Sequence, residues 1–228
     1  MPEDILQEQI RYYRARAGEY DEWFYRKGRY DYGEALNRQW FDEAAIVMRS
    51  LHAIGPVERT LELACGTGIW TEQLLKVAGH ITALDASPEV IAINRGKLNA
   101  PNVTYHQVDL FAWVPTETVD LVLFGFWLSH VPPEGLDTFL DKVSRALRPG
   151  GQAFIVDSRP KGIGTARDQV IDEQNPVMRR LLNDGSEYQI IKVFYQPDEL
   201  QARLARHGLQ ADVRTTENFF IYAHGRKQ

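Results

Sequence analysis

Two glycines and two aspartates carry the first chemistry that this sequence offers. Gly66 and Gly68 lie in Leu61–Thr71 (LELACGTGIWT), where a short apolar run gives way to a helical one. Glycine lets such a turn take positive φ and lets a ligand approach the backbone closely. The helix start that follows presents amide donors without intrahelical partners. Asp85 ends the next apolar run, 17 residues after Gly68. An acid at that place accepts both hydroxyls of a ribose. Asp109 ends the run after that, where an adenine amino group would fall. The glycines alone support only a nucleotide-binding turn; with the two acids behind them the site suits an adenosine-containing ligand.

Further along stand residues that handle protons and charge. His130 follows a fourth apolar run, beside Trp127, and is placed to act as a general base or to orient an acceptor. The alternative is a polar residue closing the loop before Pro132-Pro133. Asp157 and Arg159 sit at the mouth of a fifth run. Arg159 either binds an acidic acceptor or pairs with Asp157 or a nearby acid, and the pairing is the favoured reading. Cys65 reads as a small turn residue. No His, Cys and Asp cluster has metal-ligand spacing, so no metal is expected.

The elements that must position these residues alternate. Thr60–Ala64, Ile81–Leu84, Val103–Val108, Val119–Phe126 and Gln152–Asp157 read as strands, and Ile69–Val77, Pro88–Asn99 and Glu134–Leu147 as the helices between them. Ser87-Pro88-Glu89 is a helix start with Ser87 as N-cap. Such alternation predicts a mostly parallel sheet covered on both faces, with ligands outside the carboxyl ends of the strands. Residues 4–54 read as helical and crowded with tyrosine, with a first helix ending near Gly28 or Gly33 and a second over Glu34–Ala53. Arg11, Arg14 and Arg16 read as a solvated face. The stretch 158–187 breaks the rhythm, with a helical piece from Thr165 to Asp172 or as far as Leu182, and is expected to shape a substrate pocket. Tyr188–Phe194 and Val213–Tyr222 read as late strands.

Composition removes several classes. The chain has 228 residues, 44% hydrophobic and 25% charged, with a net charge of −5. That is one α/β domain with a full core. No basic block suits nucleic acid, and no apolar run approaches the ~20 residues of a membrane span. One cysteine allows no internal disulfide, and no secretory leader opens the chain, so a cytoplasmic protein is expected, as a monomer or homodimer.

Together, LELACGTG, LDASPEVI, HQVDLF, VDLVLFGFWLSHVP and RALRPGG resemble, in order and spacing over Glu58–Asp157, the motifs of class I S-adenosylmethionine-dependent methyltransferases. YQPDELQARLARHGL extends the likeness towards the C-terminus. The resemblance implies a Rossmann-like, mostly parallel seven-stranded sheet with helices on both faces, a helical cap (1–55), a cofactor core (56–157), an inserted lid (158–187) and C-terminal strands and helix (188–228). It implies S-adenosylmethionine as cofactor and S-adenosylhomocysteine as product. Glu62 would organise the turn and reach the methionine amino group through a water or backbone contact. Ala64, Gly66 and Gly68 would line methionine and ribose, and Asp85 with Ala86 would hold the ribose. Asp109 and the Leu110 amide would face adenine, and Gly125 or Phe126 would offer a carbonyl to the methionine amino group. Tyr20 would touch the methionine carboxylate, with Tyr12 or Tyr13 lining the pocket, unless these rings only pack the cap. Trp127 would stack on adenine, sulfonium or substrate, or else pack in the core.

Two departures stand out. Ala64 replaces a common glycine. Phe126-Trp127-Leu128-Ser129 replaces the Asp/Asn-Pro-Pro-Tyr/Phe motif, which disfavours an exocyclic base amino group as acceptor. The reaction implied is in-line displacement by an O, N, S or C nucleophile of a small molecule, with His130, Tyr13 and Arg159 as candidate catalytic residues. The rivals are a nicotinamide-dependent oxidoreductase, against which the third glycine of its turn is missing, and a non-catalytic cofactor-binding scaffold.

Overall fold

The structure is a computed structural model and describes residues 3–228. Three N-terminal helices, α1 (Glu3–Ala15), α2 (Tyr20–Phe24) and α3 (Glu34–His52), precede an alternating core. That core runs β1 (Val57–Leu63), α4 (Ile69–Leu74), β2 (Ala78–Asp85), α5 (Pro88–Leu98), β3 (Val103–Gln107), β4 (Val119–Gly125), α6 (Leu136–Ala146) and β5 (Leu147–Ser158). A hairpin follows, β6 (Val177–Leu181) and β7 (Glu187–Ile191), then α7 (Pro197–Arg206), β8 (Leu209–Thr215) and β9 (Phe220–Lys227).

Seven strands form one sheet in the order β3-β2-β1-β4-β5-β9-β8. Pairings among β1 to β5 are parallel, and β9 is antiparallel to both its neighbours. The strand order reverses between β1 and β4, so the crevice for a ligand opens above Leu63 and Gly125. Side chains alternate across β4. Leu121 and Leu123 pack under α3 and α4 with Trp40, Leu51 and Leu74, while Val122 and Phe124 pack under α6 with Leu140 and Val143. No described helix is long and apolar enough to cross a membrane.

Three expectations need correction. The first helix stops at Ala15 rather than near Gly28, and the chain turns through Gly18 into the short α2. The helical piece expected after Thr165 is absent, and only one 3-10 turn, Gly162–Gly164, interrupts an irregular path. Val177–Leu181 is instead a strand, because Asn183-Asp184-Gly185 closes a hairpin. Gly185 takes φ +86°, and the Leu182 and Ser186 backbones bond across the turn at 2.9 Å. The run expected at Tyr188–Phe194 supplies β7 to this separate hairpin and not to the main sheet. Tyr12 of α1 packs on Leu182 and Ile190, so the hairpin's partner is the N-terminal cap.

Candidate active site

The turn after β1 is held from beneath. Glu62, 1% exposed, accepts a 2.7 Å hydrogen bond from the Thr71 hydroxyl. Asn94 of α5 donates to Thr71 at 2.9 Å and to the Gly66 carbonyl at 3.3 Å. Burial pushes the Glu62 carboxyl up to about 8. Gly68 caps α4 at φ +95°, and a Cβ there would stand 2.6 Å from Asn94 Oδ1. Ala64 occupies the left-handed region at φ +55°, an uncommon place for a residue with a Cβ. The conformation that a glycine would favour is therefore kept, and the methyl is accommodated.

Above this turn lies a cavity of about 710 Å³, lined by Tyr13, Tyr20, Ala64, Gly66, Asp85, Ala86, Val90, Asp109, Leu110, Phe111, Gly125, Phe126, Trp127 and His130 among others. Asp85 is gripped by the Gly66 and Ser87 amides, both at 2.9 Å, and burial raises its carboxyl. Asp109 is steadied by the Phe111 amide at 2.9 Å. Trp127 leans on Phe111 (centroids 5.2 Å), and its buried indole N–H has no partner. Gly125 is needed where it stands, since a Cβ would meet the Trp70 ring at 2.7 Å. Carboxylates at the ends of β2 and β3, an apolar slot of Val90, Leu110 and Trp127, and an open turn at Gly66 fit S-adenosylmethionine. Gly68, expected to line methionine and ribose, is not among the lining residues, and neither is Glu62, expected to organise the turn and reach the methionine amino group through a water or backbone contact; both hold the turn from behind.

A second chamber, about 590 Å³, adjoins the first and shares Tyr13, Tyr20, Phe126 and His130 with it. Arg16, Arg180 and Lys192 line it, each less than 9% exposed. Lys192 donates to Ser129 Oγ at 2.7 Å and pairs with Asp157 at 3.2 Å. Among the described residues the two arginines have no carboxylate partner. Arg16 meets the Tyr30 hydroxyl at 3.2 Å and lies over the Tyr20 ring, 4.8 Å from its centroid. Among the described residues Arg180 reaches only the Met178 sulfur, at 3.7 Å. Arg16 Nε and Arg180 Nη1 are buried without a hydrogen-bond partner. Tyr12 and Tyr30 complete the aromatic wall.

His130 closes the boundary between the chambers. Its Nδ1 lies 2.6 Å from the Ile191 carbonyl, which can only accept, so Nδ1 carries the proton. Nε2 is then the acceptor for the Tyr13 hydroxyl at 2.6 Å. Burial, then the nearby Lys192 charge, holds this imidazole well below its ordinary range. Tyr13 is held protonated, chiefly by burial. Gln9, 1% exposed, donates to the His130 carbonyl and accepts from the Ile191 amide.

The expected Arg159–Asp157 pair does not form. The Ser129 amide, the Ser158 amide and Lys192 already occupy Asp157. Arg159 turns instead to the carbonyls of Thr216 (2.7 Å) and Glu217, at the rim of the second chamber. Arg16 is not on a solvated face, although Arg14 is, with half its side chain exposed. Sequence reasoning missed Gln9, Asn94, Arg180 and Lys192. The alternation of β6, exposed Arg179 beside buried Arg180, is a signal that reads only once the segment is known to be a strand.

The comparisons agree with this geometry. A family model described as "Methyltransferase domain" matches residues 60–151. The ubiquinone biosynthesis O-methyltransferase of Xanthomonas oryzae pv. oryzae is 28% identical over 197 residues, covering 78% of each chain. The solved DhpI–SAH complex is 35% identical, with a TM-score of 0.80, covering 100% of this chain and 98% of that one. The DhpI–SAM–HEP complex is 36% identical, with a TM-score of 0.81 and 99% coverage of both. With the turn, the strand-end acids and these likenesses in hand, the chain belongs to the class I S-adenosylmethionine-dependent methyltransferases.

Proposed function

We propose that this small-molecule methyltransferase passes its methyl group across the shared wall of Tyr13, Tyr20, Phe126 and His130 to an oxygen of a small oxyanion. The observation that supports this reading is the pair of buried guanidinium groups, Arg16 and Arg180, that meet no carboxylate among the described residues. A buried cation without a partner is costly. An oxyanion between them and Lys192 removes that cost, and Arg supplies the forked donors that carboxyl and phosphoryl oxygens accept. Bound in the first cavity, S-adenosylmethionine supplies an electrophilic methyl group. Asp85 and Ala86 hold the ribose, Asp109 and Leu110 the adenine edge, and Tyr20 with the Phe126 carbonyl the methionine end. Ala64 and Gly66 give backbone clearance, while Glu62 and Gly68 keep the turn in shape, and Trp127 covers the ring.

An acceptor that is already ionised needs no base. That suits His130, whose two nitrogens are committed to Ile191 and Tyr13. Tyr13 and His130 are then positioning residues that fix a phenol oxygen beside the transfer path, and Arg159 guards the rim. The single, buried cysteine accords with a cytoplasmic setting.

Labelled donor offered with a panel of small carboxylates, phosphoryl compounds, neutral alcohols and amines tests the reading. Label should enter only ionised acceptors, and the panel tells carboxyl from phosphoryl substrates. Turnover of neutral acceptors, unchanged in Arg180→Met, would sink it.

A further inference from the structure

The chamber's charge has a consequence for the donor. Three buried cations line it, and among the described residues the one carboxylate touching any of them is Asp157, already paired with Lys192. Two positive charges are left unmatched. Burial raises the Tyr12, Tyr13 and Tyr20 hydroxyls and lowers the His130 imidazole, which favours the neutral form of each. The wall between the chambers is one side chain thick, since Tyr20 lines both and Arg16 lies 4.8 Å over its ring. On the donor side, the carboxylates stand at the nucleoside end, with Asp85 tied to Gly66 and Ser87 and Asp109 tied to Phe111. Nothing ionised on the described shared wall offsets the chamber at the methyl end.

We infer that donor and acceptor bind as a charge-coupled pair: the empty chamber favours S-adenosylhomocysteine over the cationic donor, and an oxyanion in the chamber reverses that order. This rests on the oxyanion reading above. Buried charges are screened little by salt, so like charges on either side of one ring repel. An anion in the chamber removes that repulsion and adds attraction. By linkage, the cationic donor strengthens anion binding by the same factor. The transfer breaks the donor's carbon–sulfur bond, leaves that electron pair on sulfur and forms a carbon–oxygen bond from the anion's lone pair. One positive charge and one negative charge vanish together. The attraction that assembled the reactants is therefore absent between the products.

Titration calorimetry on the whole chain at pH 8 and fixed ionic strength tests this. Sinefungin, which carries an ammonium where the donor carries its methylated sulfur, stands for the cation, S-adenosylhomocysteine for the neutral ligand, and inorganic phosphate for the anion. Without phosphate, S-adenosylhomocysteine should bind more tightly than sinefungin. Phosphate should tighten sinefungin on the order of tenfold, a usual size for coupling between sites, and S-adenosylhomocysteine by less than about twofold. Phosphate that binds but shifts both ligands equally overturns the coupling and leaves the oxyanion reading standing. Phosphate that binds neither complex overturns both. Arg180→Met, checked for a cooperative unfolding transition, should bind sinefungin more tightly than the parent in the absence of phosphate and lose most of the phosphate effect. A folded variant that keeps the full effect also overturns the proposal.

Discussion

The two chambers are built in opposite ways. The donor cavity is assembled from strand ends and their first turns, and its acids are already satisfied by backbone amides. The second chamber, proposed for the acceptor, is assembled from the N-terminal cap, residues 158–171, and the β6–β7 hairpin with the residues just after it, and two of its cations carry nitrogens without a hydrogen-bond partner. One is a site shaped before its ligand arrives. The other stores an electrostatic demand that a ligand must meet. The sheet's topology explains the contrast: a parallel core brings strand ends to the switch point, whereas the cap meets the hairpin through cap side chains, Tyr12 on Leu182 and Ile190 and Gln9 on the Ile191 amide.

The sharpest test of that contrast is Arg180→Met. It should raise the acceptor KM by roughly 100-fold or more, the scale for truncating one side of a buried charge pair. The affinity for S-adenosylhomocysteine should stay within about twofold, because neutral ligands do not feel the chamber. Asp85→Ala is the mirror experiment. It should weaken S-adenosylhomocysteine by roughly 10- to 100-fold, the range for hydrogen bonds to a charged group, as read by calorimetry.

Within the acceptor chamber, the paired and unpaired cations should part company. Lys192→Met strands the buried Asp157 carboxylate and should cost about 3 kcal/mol of stability or more. Arg180→Met removes an unpartnered charge and should leave the unfolding midpoint unchanged or raised. Equal losses in both variants would mean that Arg180 has a structural partner after all.

The smallest effects concern pH, and they separate the two halves again. Burial and Lys192 hold His130 well below its ordinary range. An unfolded chain takes up that proton near pH ~6.5, so the stability that neutral His130 contributes is complete above that pH and is lost as the pH falls. His130→Gln should flatten the acid side of the stability profile. Glu62, pushed up to about 8, behaves oppositely. Its contribution is full below the unfolded carboxyl value near ~4.3 and is lost progressively until the pH has risen through about 8, so Glu62→Gln should remove that decline across the neutral range. Urea midpoints from pH 5 to 9 would check both.

How much of this was legible in the sequence follows the same line. Asp85, Asp109 and Gly66 could be read because each sits at the end of its own apolar run or within two residues of one, and strand ends gather at one edge of a parallel sheet; Leu110 and Trp127 came with the family resemblance. Gly68 was read as a wall residue because it shares that turn, and Glu62 as the residue that organises it and reaches the methionine amino group indirectly. Only the packing of Asn94 against Gly68 and of Thr71 against Glu62 shows that they work from behind. Arg16 read as solvated because it shares a run with Arg14, and a helix of that composition does not say which face another element will cover. Val177–Leu181 read as helical because its pattern is short and ambiguous, until a hairpin turn and the contact with α1 decide it.

By itself, then, the sequence determined a parallel α/β core, an adenosine-type donor site and the order in which its parts occur, since these depend on local turns and on one periodicity. The tertiary structure alone decided the second chamber, the one proposed for the acceptor. Arg16 and Lys192 stand 176 positions apart in the chain. The unmatched charge that they and Arg180 create is a property of burial, which no local pattern encodes.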